Sequence, residues 1–154
     1  MFYIAYGANI DSLTMLMRFP FAIYAGTTEL HDHKLVFCGA DGNSLVTIEP
    51  SIGDTVPAVV WELAVADEPL LDQVESCPAL FGKEVLEVVL FTSAEEMYAQ
   101  NISGELIEAI VYIMYDGNPA NMPSTDYLNT ILDGYDELGF DPTAIEAALE
   151  AAMA

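Results

Sequence analysis

Short runs with strand character dominate this chain. Residues 2–6, 21–25, 34–38, 44–49, 56–65, 84–91 and 107–115 are rich in apolar and β-branched side chains and are bounded by turn formers. "GADGNS" and "PSIGD" separate neighbouring runs, and connections that short return an antiparallel strand rather than a crossover. Helical signals are fewer. Asp11 caps a helix over 12–18 with Leu13, Leu16 and Met17 on one face, and Asp67-Glu68-Pro69 opens a second that carries Leu70, Leu71, Val74 and Glu75. The capping box Ser93-x-x-Glu96 announces a third. A fourth starts at Ser124, buries Tyr127, Leu128, Ile131, Leu132, Tyr135 and Leu138, and stops at Gly139; Asp141-Pro142 starts the last. Strands outnumber helices, so the expected fold is α+β, with a largely antiparallel sheet curled into a barrel.

With 154 residues, 53% of them apolar, the chain can bury one ordinary core, and no linker or repeat divides it, so a single domain over 1–154 is expected. The opening Met1-Phe2-Tyr3 lacks a cationic leader, and no apolar run approaches the ~18 residues that cross a bilayer. A cytoplasmic location follows as an expectation, with Cys38 and Cys77 as reduced structural thiols. Arg18, Lys34 and Lys83 face 25 acidic residues, for a formal charge of -22. Such a surface repels phosphate backbones and anionic lipid, so no nucleic acid and no membrane partner is expected. The acid is spread along the chain, as on a solubilising surface.

Two places carry candidate chemistry. In "YIAYGANID", residues 3–11, the first strand stops at Gly7-Ala8-Asn9 and feeds a helix. Such a turn leaves backbone N–H groups unpaired and convergent, a ready site for a carboxylate, and Gly7 permits close approach. Glu75 sits at the C-terminal end of its helix beside Val74, Cys77 and Pro78, where the helix dipole and apolar neighbours both favour the protonated carboxyl. That suits a proton carrier; the alternative is an exposed helix-end glutamate. Asp72 lies one helical turn from Glu75, as a carboxylate partner or as an ordinary exposed residue. His31-x-His33 offers two metal nitrogens with no third ligand at useful spacing, so neither metal nor cofactor is expected. Met15 and Met17 read as core material, and no Ser or Cys has the flanking residues of a nucleophile.

Larger blocks resemble a known family. "YIAYGAN" is similar to the Y-x-x-Y-G-S-N opening of the gamma-glutamylcyclotransferase family, which includes the AIG2-like proteins. "VTIEPSIGDTVPAVVWEL" resembles its G-D-x-V-x-G-V-V-W strand pair, "LLDQVES" its L-D-x-x-E-G segment, and "MPSTDYLNTILDGYDELGF" its C-terminal P-S-x-x-Y helix. The blocks fall in the family's order between residues 3 and 139.

The resemblance implies a small mixed β-barrel flanked by helices, and an enzyme that releases 5-oxoproline from a γ-glutamyl amide by attack of the substrate's own α-amine. It implies Glu75 as catalytic acid and base, the loop of Tyr6, Gly7, Ala8 and Asn9 as the holder of the γ-glutamyl group, and Tyr127 facing it. The partner implied is a small γ-glutamyl molecule, with a homodimer left open; the alternative function is a catalytically silent module of the same fold that binds a small molecule or a protein. Three residues depart from the pattern: Ala8 stands for the usual Ser, Ser76 for Gly, and Lys83 lies near a position often held by Arg. Tyr127, in the first turn of its helix, either reaches a ligand or serves as a core tyrosine.

Overall fold

The computed structural model describes residues 1–100 and 104–154. Its strands are β1 (Phe2–Ala5), β2 (Ile23–Cys38), β3 (Leu45–Glu62), β4 (Phe81–Leu90) and β5 (Glu105–Met114). The helices are α1 (Ser12–Arg18), α2 (Glu68–Val74), α3 (Ala94–Ala99), α4 (Thr125–Leu138) and α5 (Thr143–Met153), with single 3-10 turns at Ala8–Ile10 and Val65–Asp67. One five-stranded sheet runs in the order β2-β3-β1-β5-β4. Among the described residues only the β1–β5 pairing is parallel. β1 is central because it is short and apolar on both faces, with Tyr3, Ile4 and Ala5 all buried.

The expected α+β class and mixed, largely antiparallel sheet are present, but the barrel is corrected to an open sheet. The outer strands β2 and β4 do not form a ladder. They meet at one antiparallel bridge, where Thr27 and Phe91 exchange backbone hydrogen bonds of 2.8 Å each. Next to it Thr28 Oγ1 donates to Val89 O at 2.7 Å, and beyond this short contact β2 follows β3 as a long hairpin.

Two further readings change. The runs 21–25 and 34–38 belong to one strand, β2, and 44–49 and 56–65 to another, β3. "GADGNS" is a true turn. "PSIGD" instead makes a bulge: partners step from Thr55 opposite His31 to Pro50 opposite His33, and Gly53 N donates to Asp32 Oδ1 at 2.9 Å. Turn formers thus displaced the strand without ending its pairing. α1 starts where Asp11 predicts, its carboxylate accepting from Thr14 N at 3.0 Å, but its apolar stripe faces outward. Met15 is fully buried whereas Leu13 and Met17 are 70% and 76% exposed, so Met17 is not core.

α4 positions the site from outside the sheet. Ser124 accepts from Tyr127 N at 3.2 Å and Gly139 caps the far end at φ 73°. Gly134 lets this helix lie against the Ala8–Ile10 turn: a Cβ there would stand 2.5 Å from Ile10 Cγ1 and 3.2 Å from Asp11 N. The helix is therefore a wall behind the loop that carries Asn9.

Candidate active site

A cavity of about 220 Å³ opens where the C-terminal end of β1, the 3-10 turn, the end of α2 and the start of α4 converge. Tyr6, Gly7, Ala8, Asn9, Glu75 and Tyr127, the residues singled out from sequence, all line it. The volume lies below the ~300–1,000 Å³ of sites for drug-sized ligands, and suits a small group.

Glu75 caps α2, its N–H bonded to Leu71 O at 2.9 Å, while fully buried Leu71 pins the helix to the core. The carboxylate turns inward. Tyr3 donates its hydroxyl proton to Glu75 Oε1, and Asn9 Nδ2 donates to the same oxygen at 3.3 Å. Burial lifts the Glu75 carboxyl above its ordinary range; the Tyr3 hydrogen bond, the Arg18 charge and the Asn9 amide oppose this without cancelling it. The residue that follows, Ser76, has φ 51°, in the left-handed region that favours glycine. The family's usual glycine at this place has a backbone reason.

The loop after β1 is held tightly. Ile10 N bonds Gly7 O at 3.1 Å and Asp11 N bonds Ala8 O at 3.2 Å, so the amides of Gly7, Ala8 and Asn9 are those the turn's own ladder leaves over. Trp61 Nε1 donates to Asn9 O at 2.8 Å, and Arg18 Nη1 to Asn9 Oδ1 at 2.7 Å. Tyr6 borders the cavity, but its hydroxyl is committed to Tyr112 O at 2.5 Å.

Tyr127 is both core and site. Its hydroxyl accepts from Val46 N at 3.0 Å and lies 3.4 Å from where a Gly7 Cβ would sit; burial raises its pKa to about 12, so it stays a protonated donor. Tyr127→Phe should therefore lower stability by about 1 kcal/mol, through the unpaired Val46 amide, and also raise KM. Thermal unfolding alongside steady-state kinetics checks this; lost stability with unchanged kinetics would make the hydroxyl purely structural.

Asp72 does not pair with Glu75. It accepts from the Tyr112 hydroxyl at 2.5 Å and from Lys83 Nζ at 2.9 and 3.0 Å. Partial burial works to raise its pKa, but these hydrogen bonds and the Lys83 charge hold it below the usual carboxylate range. Tyr3 and Tyr112 stack edge-on at 6.0 Å, so two neighbouring tyrosines each hold one carboxylate.

Tyr3, Arg18 and Tyr112 were not singled out from sequence. Tyr3 had a signal: a hydroxyl in a strand buried on both faces needs a partner. Arg18 had one too, as one of three cations in a chain of formal charge -22. Tyr112 had none, since its partner comes from a distant helix.

A carboxyl whose pKa burial raises thus lines the same cavity as a loop whose Gly7, Ala8 and Asn9 amides take no part in the turn's own bonds, on an open α+β sheet. No protein-family model matches the chain. The gamma-glutamylcyclotransferases of mouse and human are each 30% identical to it over 146 residues, spanning 89% of this chain and 71% of theirs. A solved gamma-glutamyl cyclotransferase superposes with a TM-score of 0.78 at 25% identity, covering 99% of this chain and 87% of that one. The chain belongs to the gamma-glutamylcyclotransferase family.

Proposed function

We propose that this chain releases 5-oxoproline from a γ-glutamyl amide or γ-glutamyl amino acid, with Glu75 moving the proton. The observation that carries the reading is the Glu75 carboxyl inside the cavity, its pKa raised by burial, beside the amides of residues 7–9. A base nearer neutrality takes a proton more readily from the substrate's α-ammonium than a free glutamate does. The neutral α-amine then attacks the γ-carbonyl carbon, closing the ring without a second reactant, so the protein's task is mainly to hold the substrate folded.

Carbon–nitrogen bond formation makes an oxyanion at the γ-carbonyl. The leftover amides of Gly7, Ala8 and Asn9 supply donors for it, or for the substrate's α-carboxylate. Collapse breaks the bond to the leaving amine as Glu75 returns the first proton to it, and the freed Glu75 carboxylate takes the second proton from the ring nitrogen, leaving a neutral lactam. These are backbone donors, so Ala8 in place of the usual Ser leaves them available. Every step uses groups of this chain and of the substrate.

Incubating the protein with a panel of γ-glutamyl amides and assaying 5-oxoproline tests the proposal. Product from at least one member is expected. Saturable binding across the panel without product would favour a silent binding module of the same fold.

A further inference from the structure

We propose that Arg18 is a positioning residue for this chemistry: it fixes the Asn9 side chain so that Tyr3 and Asn9 both donate to Glu75 Oε1, leaving Oε2 to move the proton. The inference rests on the proposed role of Glu75 and adds how that carboxylate is aimed.

The donor rules make the arrangement one-way. A guanidinium only donates, so the Asn9 atom 2.7 Å from Arg18 Nη1 must be Oδ1. That sets the amide's NH2 toward the carboxylate, where Nδ2 reaches Tyr3 Oη at 3.0 Å and Glu75 Oε1 at 3.3 Å. Tyr3 is free to accept there because its own proton goes to Glu75. Asn9 is 4% exposed and Trp61 Nε1 holds its carbonyl, so the residue has little other freedom. Among the described residues no hydrogen bond falls on Oε2.

Arg18 is also distinct among the cations. Lys34 pairs with Glu49 at 3.3 Å, and Lys83 with Asp72 and Glu68, all outside the cavity, while Arg18 is the basic residue on the cavity wall. The other titratable groups around Glu75 are Tyr3 and Tyr6 from the β1 side, Tyr112 from β5, Tyr127 from α4, and Asp72 and Cys77 on either side of it in the chain. None of these brings a positive charge. Removing the guanidinium should therefore loosen the Asn9 amide and disfavour the Glu75 anion together.

The test compares R18Q and R18K with the native chain in two ways. Carbon NMR on protein labelled at glutamate carboxyls, with Glu75→Gln assigning the signal, follows Glu75 in the free protein. In R18Q its titration midpoint should move up, and R18K, which keeps the charge, should restore it at least in part. Kinetics should show kcat down by about 10-fold to 10²-fold in R18Q, with the acidic limb of kcat/KM displaced to higher pH by the same interval. An unmoved Glu75 midpoint in R18Q overturns the proposal. So does a rise in KM restricted to substrates whose leaving amine bears a carboxylate, with kcat and the titration unchanged, since Arg18 would then be touching substrate directly. The NMR arm needs no turnover, so it judges Arg18 even if no γ-glutamyl amide is cleaved.

Discussion

Glu75→Gln should leave the fold in place and lower kcat by on the order of 10²–10⁴. The amide keeps the volume, and its Oε1 can still accept from Tyr3 and Asn9, so the polar contacts that seat the side chain survive. It cannot hold a proton between the α-ammonium and the leaving amine. Burial already disfavours the Glu75 anion, so a neutral substitute should unfold at the same temperature or slightly higher. Circular dichroism melting together with 5-oxoproline assays separates the two effects. A folded variant with more than about a tenth of native activity would place the base elsewhere.

Gly7→Val should lower affinity for a non-reactive γ-glutamyl analogue by about 10²-fold, with a smaller effect on folding. The sequence reads this glycine as permitting close approach. The structure gives the contacts: a Cβ would lie 2.8 Å from Val46 Cγ1 and 3.4 Å from the Tyr127 hydroxyl. A valine adds two further methyls in the gap between the loop and Tyr127. Overpacking of this kind costs about 1–3 kcal/mol, so the variant should still fold. Calorimetric titration measures the affinity, with Gly7→Ala as the milder step, where Val46 need move only a little. Unchanged affinity in both would remove the loop from the site.

What the sequence made legible was mostly local. Caps at Asp11, Ser93 and Ser124 act within three residues, and each accepts the backbone N–H that the pattern implies. The strand stop at Gly7 and the helix end at Glu75 are likewise set by neighbours in the chain. What failed was decided at long range. Whether "PSIGD" ends a strand depends on whether His31 and His33 still find partners across the ladder, and they do. Whether the sheet closes depends on how far β2 and β4 run together, and among the described residues one backbone bridge, Thr27 to Phe91, and the Thr28 hydroxyl on Val89 O join them.

The same division holds in the site. The helix end offered Glu75 as a candidate proton carrier, but the burial that raises its pKa comes from the surrounding fold, and the groups that oppose it, Tyr3, Arg18 and Asn9, come from other elements. Asp72 shows the converse. One-turn spacing suggested a carboxylate pair, yet Tyr112 and Lys83, both remote in sequence, take it away from Glu75. The stripe of Leu13, Leu16 and Met17 has the periodicity of a buried face and is exposed, because only tertiary contact decides which side of α1 meets the core.

In the proposed reaction the substrate's own α-amine displaces the leaving amine. It is tested most directly by product stoichiometry on two substrates: a γ-glutamyl amide that the protein cleaves and the same compound with its α-amine acetylated. One 5-oxoproline for each amine released is expected from the first, and no amine release from the second. Glutamate in place of 5-oxoproline, or amine release from the acetylated compound, would mean that water is the nucleophile and would contradict it.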